Sequence, residues 1–76
     1  MNEIEFSERK NQLIANHVLD NEEKHVMRLL KYGGIDVSDI TDGLKCTHGY
    51  ALDVIGRLID KKLVGFGICH KVMLIK

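Results

Sequence analysis

The stretch Ile40-Thr41-Asp42-Gly43-Leu44-Lys45-Cys46-Thr47-His48-Gly49-Tyr50-Ala51-Leu52-Asp53-Val54-Ile55-Gly56-Arg57-Leu58-Ile59-Asp60-Lys61-Lys62-Leu63-Val64 decides how this chain folds. Ile40 and Leu44 stand four apart, so they share one face of a short helix that Ser38 can cap ahead of Asp39. Lys45-Cys46 makes a tight break. Thr47 then sits where a new helix needs a hydroxyl to accept its unpaired amides. Ala51, Ile55, Leu58 and Ile59 recur at three- and four-residue spacing, the period of a buried helical stripe, with Leu52 and Val54 beside it. Tyr50, Asp53, Arg57 and Asp60 turn outward, near Gly49 and Gly56, while His48 falls toward the inward side.

On the carboxy-terminal side the pattern changes from period 3.6 to strand-like runs. Leu63 to Ile68 and Val72 to Ile75 are apolar and rich in β-branched residues, and the polar gap Cys69-His70-Lys71 separates them. Such a pair predicts a β-hairpin. On the amino-terminal side, Asp20 followed three residues later by Glu23 has the form of a capping box. Val26, Met27, Leu29 and Leu30 supply a buried face, and Gly33-Gly34 stops the helix. Ile35-Asp36-Val37 is long enough for one strand pairing. Farther upstream, a helix is expected after Ser7 as cap, with Leu13, Ile14, His17 and Val18 on its apolar side. Residues 1–6 read as an extended or frayed start.

This order (helix, short strand, short helix, tight turn, longer helix, hairpin) resembles the winged helix-turn-helix superfamily. The resemblance covers residues 20–76 and leaves residues 1–19 as an added helix. It implies an α+β, mostly α fold: a three-helix core with a carboxy-terminal hairpin wing. By the same resemblance Leu44 closes the supporting helix, Thr47 caps the recognition helix, and Ala51, Ile55 and Leu58 seat it. The chain departs from the family at two turns. Lys45 and Lys62 stand where glycine is common, and each would strain a left-handed backbone. The two turns are therefore expected to differ in detail from the family pattern.

Composition sets the outer limits. Seventy-six residues, 45% hydrophobic and 29% charged, make one small globular domain with a thin core. Cys46 and Cys69 are too few for a disulfide scaffold, and a reduced, cytoplasmic setting is expected. The acidic start has no signal-peptide character, and no apolar run reaches membrane length. Adjacent Cys69 and His70 would point to opposite faces of an extended tip, which disfavours a zinc site with Cys46 and His48. No nucleophile–base grouping or phosphate-binding glycine loop is present, so neither an enzyme nor a cofactor is expected.

The net charge is zero, yet its sign is divided along the chain. Residues 1–42 carry nine acids and five bases, net −4, and residues 43–76 carry six bases and two acids, net +4. A basic half within a neutral chain suggests a local anionic partner. The resemblance therefore implies a bacterial or phage transcriptional regulator that binds duplex DNA as a homodimer. In that reading Thr47, His48, Tyr50 and Arg57 contact bases, and Lys45, Lys61, Lys62 and Lys71 contact phosphates. Leu13, Ile14 and Val18 of the added helix would face a second copy. An alternative reading is an adaptor or inhibitor that binds another protein. Asp53 and Asp60 favour it, because carboxylates on a reading face repel phosphates. Arg57 could also pair with either of them along its own helix.

Overall fold

A computed structural model describes residues 2–75. Four helices, α1 (Glu3–Asn16), α2 (Asn21–Leu29), α3 (Val37–Leu44) and α4 (His48–Asp60), precede an antiparallel hairpin of β1 (Val64–Phe66) and β2 (Val72–Leu74). The topology is that of a winged helix-turn-helix with an extra amino-terminal helix, as the sequence implied. The core gathers Val26 and Met27 from α2, Ile40 from α3, Ala51, Val54, Ile55 and Leu58 from α4, and Val64 and Val72 from the hairpin.

Local chemistry sets the helix ends. The Asp20 carboxylate accepts from the Glu23 amide at 2.8 Å, and the Glu23 side chain accepts from the Asp20 amide at 3.2 Å. This completes the expected capping box. Thr47 caps α4 as read, its hydroxyl accepting from the Tyr50 amide at 3.2 Å. Between α2 and α3, Gly43 leaves room for the Leu29 side chain. A Cβ there would stand 2.6 Å from a Leu29 methyl carbon, which would have to move aside.

Four local expectations are corrected. First, α1 begins at Glu3 rather than after Ser7, so residues 3–6 are helical. Asn2 caps it by accepting from the Glu5 amide at 2.8 Å, and Phe6 anchors the first turns in the core. Met1 lies outside the described residues. The helix ends at Asn16, so Val18 leaves the apolar stripe and is 96% exposed, while Leu19 takes the buried place. Second, Asp36 rather than Ser38 occupies the position before α3. Ile35 makes the one strand pairing expected of its segment, an antiparallel bridge with Val72.

The remaining corrections concern turns and the wing. Lys45 (φ 54°) and Lys62 (φ 61°) both adopt the left-handed conformation. The turns keep the shape that glycine would favour, and the lysines bear the strain because packing on either side fixes the chain path. Strand β1 stops at Phe66. Ile68–His70 form a 3₁₀ turn in which Cys69 and His70 have positive φ, so the wing tip is wider than a three-residue gap.

The added helix is braced at the far end of α2 from the capping box. Lys10 lies over the Phe6 ring, 5.4 Å from its centroid, and donates to the carbonyls of Arg28 (3.2 Å) and Leu30 (2.9 Å). These oxygens belong to the carboxy-terminal turn of α2, where a cation is favoured by the helix dipole. Burial pushes the Lys10 ammonium below its ordinary range. Leu13 and Ile14 pack on the core and are only partly exposed.

Candidate functional site

Helices α3 and α4 form the helix-turn-helix unit of this topology. Ala51, Val54, Ile55 and Leu58 are at most 1% exposed, so one whole side of α4 is committed to the core. The opposite side presents Gly49, Leu52, Asp53, Gly56 and Asp60, which lie at three-, four- and seven-residue spacings. Leu52 is 40% exposed, and an added Cβ at either glycine would face open space. This side of α4 is therefore low, apolar in the middle and bordered by carboxylates.

The cations assigned to α4 turn toward α2. Arg57 donates from Nη1 to the Asp20 carboxylate at 2.8 Å, and its Nη2 stands 3.7 Å from Asp53. Lys61 donates to Glu23 at 2.5 Å and to the Val18 carbonyl at 3.3 Å. Glu23 is 3% exposed, so its carboxylate is the buried partner of this pair. Tyr50 joins the same cluster, with its hydroxyl between Glu22 and Arg57. Desolvation raises its pKa first, and the charge of Glu22 adds to the shift. Asp20 is held below its ordinary value chiefly by the Glu23 amide, with the charges of Arg57 and Lys61 adding to the effect.

The structure thus draws Tyr50, Arg57 and Lys61 into one polar seam between α4 and the start of α2. It leaves the other assigned residues apart from that seam. Thr47 and His48 are exposed at the amino terminus of α4, so His48 does not take the inward place expected for it. Lys45 and Lys62 are exposed, Lys71 is partly buried, and none of the three makes an ion pair among the described residues. Asp20 and Glu23 were legible as a cap but not as partners of α4. Thirty-seven and thirty-eight positions separate them from Arg57 and Lys61, and no local periodicity links such distant residues.

The charge of the α3–α4 unit follows. Over residues 36–60, five carboxylates (Asp36, Asp39, Asp42, Asp53, Asp60) stand against Lys45 and Arg57, a balance of −3. Among the described residues, no group of three or more His, Cys, Asp or Glu side chains could hold a metal ion. No helix among them is long and apolar enough to cross a membrane. No protein-family model, curated protein or solved structure matches this chain, so the winged-helix assignment stands on element order, caps and hairpin register alone.

Proposed function

We propose that this chain is a non-enzymatic winged-helix module that binds another protein, as an adaptor or inhibitor, through the outward side of α3 and α4. One observation carries the reading: the helix pair itself, residues 36–60, has a balance of −3, and its arginine is already paired with Asp20. Duplex DNA gains affinity when cations displace its counterions, and carboxylates at the contact oppose that gain. A protein partner with a basic rim fits the same surface. Leu52 between two glycines gives an apolar centre, and Asp39, Asp42, Asp53 and Asp60 give a polar border. Such an acidic surface also suits a protein cleft built for nucleic acid.

The test is affinity capture from cells with the intact chain, after nuclease treatment, beside a Leu52→Lys/Asp53→Lys variant. A protein retained by the wild type and lost by the variant supports the reading. A protein lost on nuclease treatment sinks it.

A second reading, a bacterial or phage DNA-binding regulator acting as a homodimer, is favoured by one feature of the same unit. The Thr47-capped first turn of α4 is exposed, His48 lies in it, and Lys45 in the adjoining turn makes no ion pair among the described residues. Phosphates bind readily at helix amino termini flanked by cations. In this reading Thr47 and His48 contact bases and Lys45, Lys62 and Lys71 contact phosphates. Titration of random-sequence duplex at low and moderate salt separates the two readings. Steeply salt-dependent association supports DNA binding, and none at either salt supports the protein partner.

A further inference from the structure

Arg57 has two carboxylates within reach, and they lie on different sides of α4. Its Nη1 donates to Asp20 of α2 at 2.8 Å, whereas Nη2 stands 3.7 Å from Asp53, one turn back on its own helix. Asp53 belongs to the outward side with Gly49, Leu52, Gly56 and Asp60. The choice between the two seats therefore sets the charge of that side. With the guanidinium on Asp20, both Asp53 and Asp60 oppose an approaching phosphate. With it on Asp53, one of the two carboxylates is cancelled.

The occupied seat is incomplete. Arg57 Nε is shut off from water and has no acceptor among the described residues. Such a donor carries a desolvation cost that rotation toward solvent removes. The Arg57 and Asp20 side chains are 40% and 41% exposed, and ion pairs this open to water are weak. There is room on the other side, where a Cβ at Gly56 would meet nothing within 4 Å. Lys61 is held more firmly, because its partner Glu23 is buried and the ammonium also donates to the Val18 carbonyl. Of the two cations in the seam, Arg57 is the one able to change seats.

We propose that Asp20 sets the choice of partner: by holding Arg57 against α2, it keeps the outward side of α4 acidic and selects against nucleic-acid phosphates. This role rests on that side being the docking surface, and it names the residue that decides which class of partner is refused. Asp20 acts through Arg57 and does not itself touch the partner.

Asp20→Asn is the probing substitution. An asparagine side chain still accepts the Glu23 amide and keeps the helix cap, while the charge that holds Arg57 is gone. The wild type, Asp20→Asn, Arg57→Ala and the double variant are titrated with random-sequence duplex at low salt and across a salt series, with circular dichroism showing that all four are folded. Asp20→Asn should bind duplex more tightly than the wild type by about threefold or more, with a log–log salt slope steeper by about one. The gain should vanish when the same substitution is made in the Arg57→Ala background. An Asp20→Asn variant that binds no more tightly than the wild type overturns the proposal. So does an equal gain in the Arg57→Ala background, which marks a simple loss of negative charge. Protein capture by the wild type decides the docking reading, and the difference between the two backgrounds decides the role of Asp20, so either can fail without the other.

Discussion

Arg57 of α4 and Asp20, the N-cap of α2, are joined at 2.8 Å, and the same Asp20 carboxylate group also caps its helix. One short polar seam therefore does two jobs. It caps the start of α2, and it ties that start to α4. Lys61 and Glu23 repeat the arrangement one turn farther along each helix. The orientation of the presented face of α4 follows from this pair of contacts and from the apolar seat beneath it.

Acid should weaken the seam in a definite direction. Asp20 has its folded pKa below the ordinary 3.8, so its contribution is complete above that value. The contribution is lost as pH falls through the lower, folded value. Asp20→Asn should be less stable than the wild type at neutral pH. The gap should close on acidification below about pH 4, read from urea midpoints across the acid range. A gap that is constant with pH would mean the carboxylate charge is not what matters.

Removing Lys61 should cost more than its surface position suggests. Its partner Glu23 is 3% exposed, so Lys61→Met leaves a buried carboxylate with the Asp20 amide but no cation. A loss of roughly 1–3 kcal/mol is expected in chemical denaturation. The double variant Lys61→Met/Glu23→Gln should recover part of it, because the orphaned charge is gone.

The two left-handed lysines predict the opposite sign. Lys62→Gly, and separately Lys45→Gly, should raise stability by up to about 1 kcal/mol, since glycine takes positive φ without the Cβ clash. Gly34→Ala should do the reverse. Its φ is +98° and its Cβ would stand 2.9 Å from that of Lys71. Thermal melts of the three variants beside the wild type check the set.

Charge reversal on α4 should change the choice of partner. Asp53→Lys/Asp60→Lys moves the balance of residues 36–60 from −3 to +1 without touching the core, because both acids are exposed. Non-specific affinity for duplex DNA should rise at low salt and fall steeply with added salt. Binding to a basic protein partner should drop at the same time. If DNA affinity is unchanged by the reversal, this side of α4 does not govern the approach of phosphate.

Much of the fold was legible because it is set by neighbours in sequence. Asp20 with Glu23, Thr47 before Ala51, and the shift from helical spacing to the runs around Val64 and Val72 each encode their element within a few residues. The chain alone therefore determined three core helices, a tight turn and a wing. Less was legible where a distant group decides the outcome. Phe6 carries α1 back to Glu3 because the core receives its ring, and Lys45 and Lys62 hold positive φ because packing on both sides leaves no other path. Only the tertiary structure decided which charges remain free. Ion pairs form between groups brought close by folding, and nothing within one helical turn of Arg57 or Lys61 announces an aspartate and a glutamate nearly forty positions away.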